Sequence, residues 1–360
     1  MKQQQQQLPL QIISIQTHLT QYHYQSYPIL RDYFLRCIHF GKNPSSTTSS
    51  HHRTLVIFPE CTGTWLYYMC VPMPNFLRRF FFHTSTNRHF LFIIYTLITH
   101  MRLFCKHFYE NYRSRTSWSG LIQYSWFSLF ADRTFEIYKN LFSDLSRQTN
   151  SFIVAGSLFT LKNKHLYNMS YVFEPTDGSI CLQSGKIYPV SDESSFIHSY
   201  QQLPLIYSIP ETNIDIGVLI CADSWMPEVY ERYNRIELHS NRRFLFIIVA
   251  LNLGQWDMPW PGYDSTVATP TDVESKHLKT YSLGQAWFHY AVNRAFQVLE
   301  KRNCFQGYGV ICCQGVLNLM NDIQGEGESM ILLKRSKDDD SIISMKANRF
   351  NEENILSCLF

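Results

Sequence analysis

Continuous apolar runs that stop at polar residues recur along this chain, and they predict buried β-strands. These runs are Leu10–Ile15, Thr54–Phe58, Phe152–Leu158, Ile214–Ile220, Phe244–Ala250 and Met330–Leu333. The turn sequence Pro175–Gly178 lies between the β-prone segments Tyr171–Glu174 and Ile180–Leu182, and this arrangement predicts a hairpin.

Helical spacing of apolar residues marks other parts of the chain. It covers Asp132–Leu145 and Gly284–Glu300, and Pro227 is placed to open a helix that runs through Glu231. The rest of residues 66–150 is rich in Phe, Tyr, Arg and His and predicts no defined element. Strands and helices are mixed throughout without an evident linker, so one α/β domain is expected.

Three segments follow from this pattern. Residues 1–9 include a run of five Gln and predict a disordered leader. Residues 10–335 carry the strand and helix signals and predict the folded domain. Residues 336–360 are expected to be a C-terminal tail.

The composition narrows the class of protein. Hydrophobic residues make up 45% and charged residues 17%, which excludes intrinsic disorder for most of the chain. The net charge of +3 is too small to argue for nucleic acid or an anionic membrane. The apolar run Phe90–Thr99 has about half of the ~20 residues that a membrane span needs. We therefore expect no nucleic-acid partner and no membrane partner.

Cysteine usage and the N-terminal sequence bear on the compartment. The chain has 10 Cys, none of them in a C-x-x-C pair, and the opening residues lack the apolar core of a signal peptide. A cytoplasmic location with reduced thiols is expected, which would leave the sequon Asn168-Met169-Ser170 unused.

Three reactive side chains stand where predicted strands end, which is where α/β proteins build their sites. They are Glu60, Lys186 and Cys221. Singly, each has an ordinary interpretation, as a surface charge or a buried thiol. Together they supply a base, a cation for an oxyanion and a nucleophile. The strand-to-helix turn at Cys221 predicts a lowered thiol pKa, because a helix N-terminus favours the thiolate.

The blocks around these residues are LVIFPECTGTW, GKIYPVSDE and GVLICADSWMPEVY. In this order they resemble the glutamate, lysine and cysteine motifs of the nitrilase, or carbon–nitrogen hydrolase, superfamily. The resemblance extends over residues 10–335 and implies a four-layer α-β-β-α sandwich. Weaker similarity lies in IISIQ near the start, AGS at 155–157, FIIVALN at 246–252 and AWFHYAVNRAFQ at 286–297.

The resemblance implies a role for each residue of the three blocks. Cys221 is the expected nucleophile, Glu60 the general base, and Lys186 the group that stabilises the oxyanion with the backbone N–H of Ala222. Glu193 resembles the second glutamate of the family, which supports the lysine.

Other positions leave two interpretations open. Glu193 follows Lys186 by seven residues, one fewer than in many members, so Asp192 is the alternative. Trp65 and Trp225 are either walls of the substrate pocket or plain core residues.

The leading functional prediction is a hydrolase that cleaves an amide or N-carbamoyl amine through a thioester, without metal or cofactor. Nitrile cleavage is disfavoured, because Cys-Ala-Asp stands where true nitrilases carry Cys-Trp-Glu. The resemblance also implies homodimers or larger homo-oligomers. Two alternatives remain: an acyltransferase that uses the same thioester, and an inactive interaction module with the same fold.

Overall fold

The structure is a computed structural model, and it describes residues 7–42, 52–71, 73, 88–111, 117–236, 242–263, 267–302, 306–319, 323–336 and 341–360. The first six residues of the predicted leader lie outside the described residues. The strands are β1 (Leu10–Gln16), β2 (His18–Thr20), β3 (Arg53–Phe58), β4 (Phe152–Lys162), β5 (His165–Phe173), β6 (Ile180–Gly185), β7 (Tyr207–Ile209), β8 (Ile214–Ile220), β9 (Arg243–Ala250), β10 (Tyr308–Gln314), β11 (Val316–Leu319), β12 (Ile323–Gly325), β13 (Met330–Lys334), β14 (Ile342–Lys346) and β15 (Asn354–Leu359). The α-helices are α1 (Tyr27–Gly41), α2 (Tyr67–Cys70), α3 (Arg88–Asn111), α4 (Trp118–Thr149), α5 (Ser191–Ser194), α6 (Pro227–Asn234), α7 (Leu283–Trp287) and α8 (Asn293–Arg302).

Two six-stranded sheets form the centre of the molecule. Their spatial orders are β15-β1-β3-β4-β5-β6 and β14-β13-β10-β9-β8-β7. In each sheet the middle strands are parallel and the outer strands antiparallel, as the pairs β1–β3 and β3–β4, or β8–β9 and β9–β10, illustrate. A smaller sheet joins β12, β11 and β2.

Alternation along the strands of the first sheet separates its two faces. In β1, Leu10 and Ile12 enter the core between the sheets, whereas Ile13 and Ile15 face the helices on the other side. The second sheet is apolar on both faces, because helices α6 and α8 cover the face that points away from the first sheet. The layers are therefore helix, sheet, sheet, helix, and the predicted four-layer α-β-β-α sandwich is confirmed.

The segment after residue 335 belongs to the sandwich, which corrects the prediction of a separate tail. Strand β15 pairs antiparallel with β1, and β14 pairs antiparallel with β13. Each strand completes one edge of a six-stranded sheet. The sequence pattern missed them because edge strands are only half-buried, so Ile342–Lys346 alternates between exposed and intermediate positions.

The sequence of residues 66–150 predicted few elements. Where the structure describes these residues, they are largely helical. Helices α3 and α4 pack against each other, and α4 also packs against β4. Ser117 caps the N-terminus of α4, where its hydroxyl accepts from the Gly120 N–H at 3.3 Å, and Asn150 caps the C-terminus with a φ of 45°. The predicted helix at Asp132–Leu145 is part of this longer helix. None of the helices in the described part of the chain is long and apolar enough to cross a membrane.

Candidate active site

The candidate residues come from the ends of three strands in the two sheets. Glu60 follows β3 after one proline, Lys186 follows β6 directly, and Cys221 follows β8 directly. Strands β3 and β6 belong to the first sheet and β8 to the second. The three residues therefore lie where corresponding ends of the two packed sheets meet, as the strand-end pattern predicts.

The turn that carries Glu60 is held by the neighbouring strand. Gly156 in β4 has a φ of +68°, and a Cβ built there would lie 2.0 Å from the carbonyl oxygen of Pro59. The Cys61 N–H donates to Ser157 Oγ at 3.0 Å, and Thr62 Oγ1 donates to Pro59 O at 2.7 Å. A glycine is required at position 156 because the turn and the strand approach so closely.

Lys186 lies between two carboxylates. Its Nζ is 2.8 Å from Glu60 Oε1 and 2.6 Å from Glu193 Oε2. The side chains of Lys186 and Glu60 are each 2% exposed, and that of Glu193 is 14% exposed. The structure thus brings together the predicted base, the predicted cation and the predicted second glutamate.

Burial and charge act in opposite directions on this cluster. Burial alone lowers the pKa of Lys186, but the carboxylates of Glu193 and Glu60 outweigh it and raise the pKa well above its ordinary value. Burial raises the pKa of Glu60, against the opposing charge of Lys186. Lys186 is therefore an ammonium group, and Glu60 is a stronger base than an exposed carboxylate.

Cys221 begins the 3₁₀ turn Cys221–Trp225 with a φ of 47°, a left-handed conformation that is uncommon outside glycine. Its side chain is buried, with Sγ 3.9 Å from the Leu251 carbonyl oxygen. Burial, and next the charge of Glu60, raise the thiol pKa well above its ordinary value. The predicted lowering of this pKa is wrong, because desolvation of the thiolate outweighs any benefit from the turn. Cys221 is therefore a thiol at rest, and a nucleophilic role for it would require a base.

The structure adds a residue that the sequence analysis missed, Asn168 of β5. Its Nδ2 donates to Glu60 Oε1 at 2.9 Å and to Glu193 Oε1 at 3.4 Å. Its backbone carbonyl accepts from the Lys186 N–H at 2.8 Å. Asn168 therefore contacts three of the clustered residues, and it is fully buried, unlike an acceptor of glycans. A polar residue inside the apolar strand sequence HLYNMSYVF was the available signal.

Two further groups outside the predicted set fix the site. The Leu251 N–H, just after β9, donates to Glu60 Oε2 at 3.1 Å. Asp223 is buried and accepts from the backbone N–H groups of Ile187 and Tyr188 at 2.8–3.1 Å. Burial raises the pKa of Asp223 to about 7. Asp223 therefore links the turn that holds Cys221 to the loop that follows Lys186 through these hydrogen bonds.

The positions of Glu193 and Asp192 show which of the two acidic residues contacts Lys186. Glu193 lies in α5, contacts Lys186 and accepts from the Val190 N–H at 3.3 Å. Asp192 is exposed. Ala222 follows Cys221 in the 3₁₀ turn, and its part in binding an oxyanion stays a prediction.

The two tryptophans lie in aromatic clusters. Trp65 stacks on Tyr68 with ring centroids 6.5 Å apart, on the side of the first sheet that the helices cover. Trp225 ends the turn that begins at Cys221 and stacks on Trp260 at 5.7 Å. Trp225 is thus four residues from the nucleophile candidate, and a pocket-wall role for either residue stays a prediction.

The charge pattern of the cluster does not suit a metal ion. Two carboxylates would attract a cation, but the Lys186 ammonium already occupies the position between Glu60 and Glu193. The arrangement is suited instead to moving a proton at Glu60 and to stabilising negative charge next to Lys186.

No protein-family model matches the sequence, and no curated protein matches it. Solved structures of similar fold include Saccharomyces cerevisiae Nit3, a member of branch 10 of the nitrilase superfamily. That similarity has 15% identity and a TM-score of 0.48 and covers 97% of this chain and 90% of that chain. An amidase from Nesterenkonia sp. is similar at 9% identity and a TM-score of 0.48, covering 99% of this chain and 91% of that chain. Identities this low carry no residue role or activity over to this chain.

Proposed function

We propose that this chain is a hydrolase that cleaves the C–N bond of an amide or N-carbamoyl amine through a thioester on Cys221. The observation that carries the proposal is the buried cluster in which Lys186 lies 2.8 Å from Glu60 and 2.6 Å from Glu193, at the sheet ends that also bear Cys221. A cluster of three buried charged groups is costly to maintain for stability alone, which favours a catalytic use.

In the first half of the reaction, Glu60 accepts the proton of the Cys221 thiol as the sulfur attacks the carbonyl carbon. A C–S bond forms, and the carbonyl oxygen becomes an oxyanion. The Lys186 ammonium and the Ala222 N–H stabilise that oxyanion. The C–N bond then breaks, and protonated Glu60 delivers its proton to the leaving ammonia or amine.

In the second half, water attacks the thioester carbonyl carbon while Glu60 accepts a proton from that water. The second oxyanion forms at the same donors. When it collapses, the C–S bond breaks, the acid or carbamate leaves, and the thiolate recovers its proton from Glu60. The raised pKa of Glu60 suits these repeated proton transfers, because it makes the carboxylate a stronger base for the thiol and water protons that it accepts and returns.

The test is ammonia or amine release from a panel of amides, N-carbamoyl amines and nitriles, with Cys221→Ala beside the wild type. Cys358→Ala is the matched control, since Cys358 is a partly buried cysteine in edge strand β15. We expect release from an amide or carbamoyl member that is abolished in Cys221→Ala and kept in Cys358→Ala. Unchanged circular dichroism melting of both variants shows that the fold is intact.

The thioester is tested on the same samples by mass spectrometry of the peptide that contains Cys221, after rapid acid quench. An acyl adduct on that peptide is the expected intermediate. Activity that persists in Cys221→Ala contradicts the proposal, and so does the absence of both release and adduct across the panel. Transfer of the acyl group to an added amine in preference to water would identify an acyltransferase instead.

A further inference from the structure

A second group of potential ligands lies outside the candidate active site. Glu274 precedes the 3₁₀ turn Ser275–His277, and His289 lies in the π-helical turn Phe288–Val292. One ring nitrogen of His277, one of His289 and a carboxylate oxygen of Glu274 all lie within 4.8 Å of one another. Among the described residues, this is the group of three such side chains that could hold a metal ion.

The surroundings of His277 fix its ring. The ring is buried and stacks on Tyr281 with centroids 4.0 Å apart and an interplanar angle of 14°. His277 Nδ1 lies 2.7 Å from Tyr290 Oη, and the same hydroxyl oxygen accepts from the Glu274 N–H at 3.0 Å. When Nδ1–H donates to Tyr290, Nε2 carries the lone pair that a metal requires. An outer partner of this kind is the usual support of a metal-binding histidine.

The second histidine is placed to complete a site. The rings of His277 and His289 have centroids 5.2 Å apart and lie nearly perpendicular, at 83°. Tyr290, whose hydroxyl accepts from the Glu274 N–H, directly follows His289 in the chain.

The charges around the group permit a cation. Glu274 Oε2 is 2.5 Å from Lys276 Nζ, but the Lys276 side chain is 72% exposed and can move into solvent. The nearby Arg294 guanidinium is neutralised by Asp272, with bonds of 2.7–3.0 Å. A divalent ion would therefore replace an exposed lysine as the partner of the Glu274 carboxylate.

We propose that Glu274, His277 and His289 bind a divalent transition-metal ion, with Zn²⁺ the best match to two imidazoles and one carboxylate. Small side-chain rotations would bring the donor atoms to the ~2.0–2.2 Å that zinc requires. Three protein ligands leave the fourth position for water. His289 also lines a cleft of about 750 Å³ together with Tyr281 and Phe288, which leaves room at that position.

The test is Zn²⁺ binding to the chelator-stripped full-length chain, measured by competition with a chromophoric chelator under reducing conditions. The variants are Glu274→Gln and His289→Ala, since neither residue is fully buried. His165→Ala is the matched control, because His165 faces His198 at 2.8 Å but is not part of the three-ligand group. We expect one tight equivalent in the wild type and in the control, and at least about tenfold weaker binding in both variants.

Cobalt substitution gives a second readout that does not depend on the variants. Ligation by imidazole and carboxylate gives weak visible bands, whereas thiolate ligation adds intense near-ultraviolet absorption. Three results would overturn the proposal: equal Zn²⁺ affinity in the wild type and both variants, an equal loss in His165→Ala, or a thiolate spectrum for the tight equivalent. Circular dichroism melting of each apo variant establishes that lost binding is not lost folding.

Discussion

The cluster around Lys186 buries charged side chains, whereas the outer face of α3 exposes apolar ones. In the cluster, the charged side chains are 2–14% exposed and each contacts an opposite charge. On α3, Ile98 is 69% and Tyr109 83% exposed, so apolar groups face solvent. The cluster is a region where many contacts depend on one another, whereas the exposed face of α3 has few contacts to lose.

The contrast determines what substitution should do in each region. Removing one partner of a buried ion pair leaves the other charge desolvated, which costs about 3–5 kcal/mol. Removing an exposed apolar side chain changes stability by about 0.5 kcal/mol or less. The four predictions below are ordered from the largest expected effect to the smallest.

The largest effect is expected at Lys186. Lys186→Ala leaves Glu60 and Glu193 buried beside each other without their shared cation, so the free energy of unfolding should fall by about 3–5 kcal/mol. The rate per folded molecule should fall by about 10²–10³, because the proposed donor to the oxyanion is lost. Chemical denaturation and single-turnover kinetics measure the two quantities separately.

The matched control is Lys162→Ala. Lys162 ends β4 and donates to Gln183 Oε1 at 3.3 Å. Unlike Lys186, it forms no ion pair with a carboxylate among the described residues. Its loss should change stability by about 1 kcal/mol or less and leave the rate unchanged. Equal losses in the two variants would remove the distinction between the cluster and an ordinary partly buried lysine.

The pH dependence is expected to report Glu60. In the proposed mechanism only the carboxylate form of Glu60 accepts the thiol proton, and burial raises the pKa of Glu60 above its ordinary value of 4.5. The rate should therefore decrease about tenfold per pH unit on the acid side, with a midpoint above 4.5. The Glu193 charge contributes to this raised pKa, so Glu193→Gln should move the acid limb to lower pH.

Asp192→Asn serves as the control for this profile, because Asp192 is exposed beside Glu193 in the same short helix. Its acid limb should match that of the wild type. A limb that shifts in Asp192→Asn but not in Glu193→Gln would assign the titrating group to another part of the molecule.

A smaller effect is expected at Asn168, which donates to Glu60 at 2.9 Å. In Asn168→Ala the carboxylate loses this donor, so the pKa of Glu60 should rise further and the acid limb should move to higher pH. We expect kcat to fall about tenfold with little change in KM, and stability to fall by about 1–3 kcal/mol. Ser170→Ala is the control, because Ser170 is buried in the same strand and its hydroxyl has no partner among the described residues.

An unchanged pH profile in Asn168→Ala, with stability lost, would mean that Asn168 only supports the strand. A shifted profile would identify it as a positioning residue for Glu60. The two variants lie two positions apart on one strand, so a general weakening of β5 would affect both.

The cluster could be predicted to the extent that its residues end apolar runs. Cys221 follows such a run directly, Glu60 follows one after a proline, and Lys186 follows the end of β6; strand ends converge in a layered α/β fold. Asn168 could not be found this way, because it lies within a strand and its contact with Glu60 joins residues 108 positions apart. The raised pKa of Cys221 also depends on burial, which a local sequence pattern does not determine.

The helical layer and the edge strands also could not be predicted from the local sequence pattern alone. Helices α3 and α4 are held by contact with each other, and α4 also by contact with β4, so the spacing of their apolar residues reflects several neighbours at once. The edge strands β14 and β15 are set by their pairing partners β13 and β1. Their own residues alternate only weakly between buried and exposed, which is why the prediction ended the domain at residue 335.

The smallest effect is expected on the exposed face of α3. Tyr109→Ser removes a side chain that is 83% exposed, and Ile98→Ser one that is 69% exposed. Each should change the free energy of unfolding by about 0.5 kcal/mol or less and leave the rate unchanged, because little apolar area is buried at either position. Denaturation at two protein concentrations measures this. A concentration-dependent loss above about 1 kcal/mol would show that an association between copies covers this face. The face of α3 and the Lys186 cluster would then both be buried, the first by a second copy and the second by the chain itself.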